Sequence, residues 1–280
     1  MRNVKIHYSI RDNVGDAINP YIVERVLGCN PVHADVNHCE VSGIGSGLGR
    51  FLYDPNQYRL QGRFKRTVMR YLNQKQLVLW SSGFIKTPTG AEQKLRVHIV
   101  PAAVRGKKSL EYVKRILRSD CTDCVTGDAG LLAAELLESP ISKRYALGII
   151  PHDKERGNPV YQQICEQTPH AVLIDVRGDV MERLKLIAQC ECILSSSLHG
   201  LIIADSFHIP NRRVILTDQL AGDGFKFLDY YSNFDLQPEP LNLRKIVFSS
   251  VNDIYDNYSV LPEFVEQKKK ELYGAFKRYF

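Results

Sequence analysis

Short apolar runs alternate with segments of helical periodicity along this chain, and that alternation restricts the possible folds more than any other feature. The runs predict strands over residues 4–9, 40–44, 76–80, 96–100, 145–150, 171–176, 192–195 and 213–217. Helical spacing predicts helices over residues 21–27, 110–118, 131–138, 160–167, 180–189 and 198–207. Strands that alternate with helices form βα units on mainly parallel sheets, so the fold class is α/β.

A polar stretch over residues 153–157 separates two series of these units. It predicts a first lobe over 1–153, a second lobe over 154–245 and a helical segment over 246–280. The last segment has an apolar stripe interrupted by Lys268, Lys269 and Lys270, formed by Leu261, Phe264, Val265, Leu272 and Phe276. We expect this helix to pack back across the lobes, although its basic face would also suit an anionic lipid surface. The basic segment Arg63–Arg70 has the same two interpretations.

Composition narrows the class of protein. The chain has 280 residues, of which 44% are hydrophobic, so a full core is available and disorder is excluded. Its net charge of +6 suits small anions or an anionic membrane surface, and no nucleic-acid module is recognisable. We therefore expect no binding of nucleic acid. We find no signal peptide and no apolar run of about 18 residues, so we expect a cytoplasmic protein.

The seven cysteines do not have the spacing of a structural zinc site. Cys121 and Cys124 form a CxxC, and Cys190 and Cys192 form a CxC, but no matching second ligand pair accompanies either. We therefore expect reduced thiols in a reducing compartment and no bound metal. We also expect no cofactor.

The glycine-rich stretch 43–49 fails as a dinucleotide fingerprint, because position 48, where the third glycine should stand, is Leu48. It also lacks the Gly-Lys-Ser/Thr of a phosphate-binding P-loop. Glycine still permits a close approach of the backbone to a ligand, and a flexible turn between strand and helix is the alternative interpretation.

Three serines, Ser195–Ser197, stand between a predicted strand and a predicted helix whose first turn contains His199. Such a turn directs free N–H groups and hydroxyls to the carboxyl edge of the sheet, where open α/β folds bind ligands. A helix N-terminus attracts anions, and a histidine there can bind an anion or transfer a proton.

The run SSSLHGLIIADSFHIPN, followed by GFKFLDYYSNF, resembles the polysaccharide pyruvyl transferase family. NVGDAINPYI, WSSGF, VPAAVRGKKS, VTGDAG and LGIIPH occur upstream in the order expected, so the resemblance covers about residues 13–233. It implies a GT-B-like fold of two Rossmann-like lobes. It also implies transfer of pyruvyl from phosphoenolpyruvate, as co-substrate, to two hydroxyls of a sugar, giving a cyclic ketal on a surface polysaccharide or its lipid-linked precursor. Peripheral contact with the inner face of the membrane is then expected.

Candidate site residues follow from this resemblance and from the chemistry. Phosphoenolpyruvate needs cations and backbone donors, and ketal formation needs an acid and a base at one carbon. The catalytic candidates are His199, Arg105, His152 and Asp16. The candidates for binding substrate are Ser195, Ser196, Ser197, Leu198, Gly200, Lys226, Asn13, Gly15 and Asp128.

One departure from the family pattern concerns charge. Many relatives have arginine directly before Leu-His, where this chain has Ser197. The cation must then come from a residue elsewhere in the chain, and the candidates are Arg105, Arg212, Arg213 and Lys226. Two alternatives stay open at this point: a nucleotide-sugar glycosyltransferase of the same architecture, and an inactive binding protein associated with the membrane.

Overall fold

The first of two parallel sheets comes from the first hundred residues of the chain. A computed structural model describes residues 1–57, 73–138 and 141–280, together with 62, 64, 65, 67 and 68. The strands are β1 (Asn3–His7), β2 (Asn30–His33), β3 (Val41–Ser42), β4 (Leu77–Leu79) and β5 (Ile99–Pro101). Their order is β2-β1-β3-β4-β5 and every pairing is parallel. In the expected basic segment 63–70, residues 63, 66, 69 and 70 lie outside the described residues.

The second sheet repeats this topology. Its strands are β6 (Tyr145–Ile150), β7 (Ala171–Leu173), β8 (Cys190–Ser195), β9 (Asn211–Ile215) and β10 (Leu241–Asn242). The order is β7-β6-β8-β9-β10, again with parallel pairings throughout. In each sheet the strand order reverses beside the first strand, and this reversal opens a crevice at the carboxyl ends where ligands bind in such folds. The two Rossmann-like lobes expected from the sequence are confirmed.

The helices connect and cover the strands. They are α1 (Val14–Tyr21, continued as a π-helix over Ile22–Val26), α2 (Lys107–Leu117), α3 (Pro159–Gln167), α4 (Val180–Ala188), α5 (Leu198–Ser206), α6 (Phe225–Tyr231), α7 (Asn252–Asp256) and α8 (Pro262–Lys277). Short 3₁₀ helices occur at Leu48–Arg50, Pro55–Gln57, Ala129–Leu136, Asp153–Glu155 and Ser232–Phe234. Two small strand pairs join Leu52–Tyr53 to Gln93–Lys94 and Ala103–Val104 to Val125–Thr126. Within the described residues, no helix combines the length and the apolar character needed to cross a membrane.

Several boundaries differ from those expected. The first helix begins at Val14 rather than near residue 21, because the side chain of Asn13 caps it by accepting from the N–H of Gly15 at 3.0 Å. Helix α2 begins at Lys107 rather than at residue 110, and Ser109 lies inside it with its hydroxyl donating to Asp229 at 2.6 Å. Strand β2 was not predicted, because its sequence Asn-Pro-Val-His has no apolar alternation.

The two lobes share one apolar core. Val4 and Ile6 of the first sheet belong to the same buried cluster as Ile193 of the second sheet and Ile203 of α5. Strand β6 pairs with β7 and β8, so it belongs to the second sheet. The expected division at 153/154 had placed that strand with the first lobe. The shared core fixes how the two carboxyl edges face each other.

Helix α8 packs across both lobes, as the sequence predicts. The indole N–H of Trp80, at the end of β4, donates to the carbonyl of Leu272 at 3.1 Å, and its ring meets Phe276 edge-on at 5.0 Å. Lys269 is only 7% exposed despite its place in the basic run. Its ammonium donates to the carbonyl of Ser206, at the end of α5, at 3.0 Å. The helix therefore contacts the first sheet and the second lobe together.

We expect Leu272→Ala to lower the free energy of unfolding by about 2–5 kcal/mol, because Leu272 is fully buried and the substitution leaves a cavity. Urea denaturation followed by circular dichroism measures this change. The fluorescence of Trp80, the single tryptophan, should shift to longer wavelength at lower urea in the variant.

Tyr273→Ala is the matched control, since Tyr273 lies on the same helix and is 42% exposed. Its cost should stay within about 0.5 kcal/mol. Equal costs for the two variants would contradict the docking of α8 on the core.

Candidate functional site

A cleft runs between the carboxyl edges of the two sheets. His7 ends β1 and Gly43 follows β3 in the first lobe, while His152 follows β6 and Ser197 follows β8 in the second. All four residues line one cavity of about 590 Å³. The two crevices that the topology creates thus face each other across a single space.

The three serines of the SSSLHG segment have different places. The hydroxyl of Ser195 is fully buried, lies 2.8 Å from the carbonyl of Ile150 and accepts from the N–H of Ser197 at 3.0 Å. Ser196 is also buried, and its oxygen accepts from the N–H of His152 at 2.8 Å. These two serines shape the turn, and Ser197 reaches the cavity.

The residues after the serines divide in the same way. Leu198 and His199 line the cavity. Gly200 belongs to the packing of the turn, since a Cβ placed there would lie 2.5 Å from the Ser195 hydroxyl. The helix that begins at Leu198 therefore presents its first turn, with His199, to the cavity.

His199 carries a ring nitrogen that has no partner. Its Nε2 is buried and makes no hydrogen bond within the described part of the chain. Burial, followed by the positive charges of Arg105 and Lys226 and by His152, lowers the pKa of His199 to about 3. The imidazole is therefore neutral at physiological pH and has one nitrogen free to accept a proton.

Gly15 is the residue against which the His199 ring packs. A Cβ at position 15 would lie 2.0 Å from Nδ1 and 2.2 Å from Cγ of His199, so only glycine permits this contact. The NVGD segment of the first lobe and the SLHG segment of the second lobe therefore meet at this point. Asn13, which caps α1, lines the cavity beside them.

Asp16 is the carboxylate that the same turn of α1 places in the cavity. Burial raises its pKa to about 6, and the charges of Arg11, Arg50 and Lys226 oppose that shift. An acid with this pKa exchanges a proton close to neutral pH.

Lys226 is the predicted cation that the structure brings to the cavity. It is 7% exposed and has no carboxylate partner among the described residues. Burial, then Arg105 and Arg213, lowers its pKa to about 8. The charge of Asp16 opposes this shift, but Asp16 forms no ion pair with Lys226, and a largely buried ammonium without an ion pair attracts an anion.

The other three predicted cations have protein partners. Arg105 is fully buried: its Nε donates to Asp229 at 3.0 Å and its Nη1 to the hydroxyl of Ser46 at 2.8 Å. Arg212 forms an ion pair with Asp253, and Arg213 stacks over the ring of Phe227 at 3.8 Å. Ser46 lines the cavity, so Arg105 supports its wall from behind, and direct contact of Arg105 with a ligand stays a prediction.

Four further cations line the cavity and were not among the sequence-based candidates: Arg11, Arg50, Lys154 and Arg177. Arg177 is paired with Asp153 at 2.6 Å. Arg11 and Arg50 come shortly after the ends of β1 and β3. Their positions after parallel strands could therefore have identified both residues as candidates for the site. The sequence gives no sign that the two lie in the same cavity.

His152 and Asp128 complete the predicted set. His152 lines the cavity, its Nδ1 accepts from the N–H of Lys154 at 3.2 Å, and burial lowers its pKa to about 4. Asp128 is fully buried, caps the 3₁₀ helix through Gly130 at 2.9 Å, and has a pKa raised to about 6 by burial. Asp128 does not belong to the described cavity lining.

The glycine-rich stretch reaches the cavity through Gly43, Ser46 and Gly47. Gly45 has a φ of 119°, a conformation that other residues rarely adopt. In the part of the chain that the structure describes, no three His, Cys, Asp or Glu side chains are grouped as metal ligands would be. The seven cysteines are all free thiols.

Comparison with protein families shows which family this chain belongs to. The family model described as polysaccharide pyruvyl transferase matches residues 13–216. The chain belongs to this family. The match begins at the cap of α1 and ends just after β9, so it covers both crevices and His199.

Two relatives extend the comparison. The chain is 27% identical over 285 residues to an uncharacterised protein of Acanthamoeba polyphaga mimivirus, covering 97% of this chain and 90% of that protein. It is also 27% identical over 114 residues to the succinoglycan biosynthesis protein ExoV of Rhizobium meliloti (strain 1021). The second alignment covers 40% of this chain and 35% of ExoV.

The contact between Gly15 and His199 gives a stability prediction. We expect Gly15→Ala to lower the free energy of unfolding by about 1–3 kcal/mol, because the added methyl must displace the His199 ring. Gly274→Ala in α8 is the matched control, since no atom lies within 4 Å of its added Cβ. That control should be neutral or stabilising by up to about 1 kcal/mol. Urea titrations measure both, and an unchanged stability in Gly15→Ala would contradict the contact.

Proposed function

We propose that this enzyme transfers the pyruvyl group of phosphoenolpyruvate to two hydroxyls of a sugar and forms a cyclic pyruvate ketal. Membership of the family supports pyruvyl transfer in general, and the name of ExoV associates a relative with the biosynthesis of succinoglycan. The observation that carries the proposal is the pairing of Lys226, which has no carboxylate partner, with His199, whose Nε2 has no partner, in one cavity. Lys226 supplies the positive charge that a small anion needs, and the neutral His199 supplies a proton acceptor in the same cavity.

The donor fits the second-lobe side of the cleft. Phosphoenolpyruvate carries a phosphate and a carboxylate, both of which need charged or N–H donors. Lys226 supplies the charge, and the first turn of α5 supplies unpaired N–H groups beside Ser197 and His199. The cation that Ser197 does not provide is thus replaced, in this proposal, by Lys226.

The reaction needs one proton for carbon and one for phosphate. A proton is added to the methylene carbon of phosphoenolpyruvate, and a sugar oxygen bonds to the adjacent carbon. The bond from that carbon to the phosphate oxygen breaks, and the second sugar oxygen takes its place. The two hydroxyl protons balance the methyl hydrogen gained and the proton carried away by phosphate.

Three residues suit these proton transfers. His199 is neutral, so its Nε2 accepts the proton of an attacking hydroxyl. Asp16 has a pKa near 6 and is our candidate for the acid that protonates the methylene carbon. His152 lines the same cavity and is our candidate for contact with the acceptor sugar.

The acceptor in this proposal is a sugar of a surface polysaccharide or of its lipid-linked precursor. A lipid-linked acceptor would bring the enzyme to the inner face of the membrane through a peripheral contact. The predicted basic segment 63–70 is the candidate for that contact.

Calorimetric titration tests the donor. We expect selective binding of phosphoenolpyruvate over uridine diphosphate and inorganic phosphate. Lys226→Gln and His199→Ala should each weaken that binding about tenfold or more, as expected when a hydrogen bond to a charged group is lost. Arg105→Ala belongs in the same series, because it removes the support behind Ser46.

Arg244→Gln is the control, since Arg244 is exposed, pairs with Asp218 and lies outside the described cavity lining. A preference for uridine diphosphate would make the protein a nucleotide-sugar glycosyltransferase. Binding of neither compound would favour an inactive relative.

The pKa of Lys226 predicts a pH dependence. Burial lowers this pKa to about 8, and a bound anion favours the charged ammonium. Affinity for phosphoenolpyruvate should therefore be highest below this pKa and fall as the pH rises through about 8. Titrations between about pH 7 and 9 measure it. The fall should be absent in Lys226→Gln, and a wild-type affinity that stays constant over this range would contradict the assignment.

A further inference from the structure

The cations that line the cleft form two groups: Arg11 and Arg50 belong to the first lobe, and Lys154, Arg177 and Lys226 to the second. The charge of Lys226 lowers the pKa of His199 and of His152 in the second lobe. The charge of Arg50 lowers the pKa of His7 in the first lobe. Cations of both groups lower the pKa of one carboxyl group, that of Asp16, and these cations are Arg11, Arg50 and Lys226. The proposed donor site uses only the group around Lys226, so the group around Arg50 has no role yet.

Arg50 is held in place by neutral partners. Its Nη1 donates to Nε2 of His7 at 2.9 Å, and its Nη2 lies 3.4 Å from the hydroxyl of Ser9. Nδ1 of His7 lies 2.9 Å from the carbonyl of Ala34. A carbonyl only accepts, so Nδ1 carries the hydrogen and Nε2 is the acceptor for Arg50. The imidazole is therefore neutral, and burial lowers the pKa of His7 further.

This arrangement orients the guanidinium without cancelling its charge. Arg50 forms no ion pair with a carboxylate in the described residues, whereas Arg105 and Arg212 both do. His7 itself is 9% exposed and is packed edge-on against Phe51, so the support is rigid. Arg50 is itself exposed and lines the cavity, and a guanidinium with spare donors suits the planar, multidentate recognition of a phosphoryl group.

The cavity has room for a second ligand beside the donor. Its volume of about 590 Å³ lies in the range of roughly 300–1,000 Å³ found for ligands of drug size. Phosphoenolpyruvate is much smaller than such a ligand. The acceptor must occupy the remainder, and the remainder includes Arg50 and Arg11 of the first lobe.

We propose that Arg50, oriented by His7 and Ser9, binds a phosphoryl group of the acceptor, so that the acceptor is a phosphate-bearing sugar rather than a neutral glycan. This inference rests on the proposed function for the identity of the donor. Asp16 lines the same cavity as Arg50 and Lys226, which agrees with its proposed role as the acid.

Pyrophosphate is the probe that tests this site. Calorimetry is carried out with pyrophosphate on the enzyme alone and on the enzyme saturated with phosphoenolpyruvate. We expect the saturated enzyme to bind one further equivalent of pyrophosphate. Arg50→Gln should weaken that binding at least tenfold, while the dissociation constant for phosphoenolpyruvate changes less than twofold.

Three further proteins complete the set. Arg50→Lys keeps the charge but loses the fork that joins His7 and Ser9, so we expect weaker binding of pyrophosphate than in the wild type and stronger binding than in Arg50→Gln. Arg244→Gln should match the wild type in both titrations. Ser9→Ala removes one support of Arg50 and should weaken pyrophosphate binding severalfold, which keeps the test available if Arg50→Gln does not fold.

The titrations distinguish failure of the Arg50 site from failure of the proposed donor. The inference is overturned if pyrophosphate only displaces phosphoenolpyruvate, or if Arg50→Gln weakens both ligands equally. If phosphoenolpyruvate does not bind, but pyrophosphate binds the enzyme alone and depends on Arg50, the proposed donor is wrong and the anion site stands.

Discussion

Ile6 on β1 and Ile193 on β8 belong to one buried cluster, and the geometry of the cleft depends on that shared packing. Each sheet alone would expose its carboxyl edge to solvent. Because apolar side chains from both lobes pack together below the cleft, the crevices at β1/β3 and β6/β8 face each other at a fixed separation. Helix α8 adds a second connection, since Trp80 of the first lobe and Ser206 of the second both bond to it.

The buried ion pair between Arg105 and Asp229 makes a third connection, close to the site. Asp229 lies in α6, the helix that also carries Lys226, and it accepts from Arg105 and Ser109 of the first lobe. Removing one partner of such a pair leaves an uncompensated buried charge and costs about 3–5 kcal/mol. The position of Lys226 thus depends on Arg105, whether or not Arg105 touches a ligand.

Electrostatics gives the cleft its selectivity. Burial and neighbouring cations lower the pKa of Lys226 to about 8 and that of His199 to about 3, while burial raises that of Asp16 to about 6. In all three groups burial is the largest cause, because it removes water from the charged form and so disfavours that form. A bound anion would compensate the charge of Lys226. The charge of Lys226 therefore favours negatively charged ligands in the cleft.

Features local in the sequence were predictable. Strand β6 and the helix that begins at Leu198 follow from apolar periodicity over a few residues, and His199 follows from its place at the start of that helix. Lys226 was recognisable through the family motif. The first turn of α1 was misplaced, because the cap at Asn13 outweighs the low helix propensity of Gly15.

The tertiary structure alone decided which of these residues meet. Gly15 lies against His199, and Arg50 is held by His7, across long separations in the chain. Arg105 looked like a ligand from its sequence context, yet folding pairs it with Asp229. Periodicity and capping act between neighbours in sequence, whereas these contacts depend on how two separate sheets pack on one core. The sequence by itself determined the strands, the helices and the chemistry available at their ends, and only the packing of the two lobes decided which charges face the cleft.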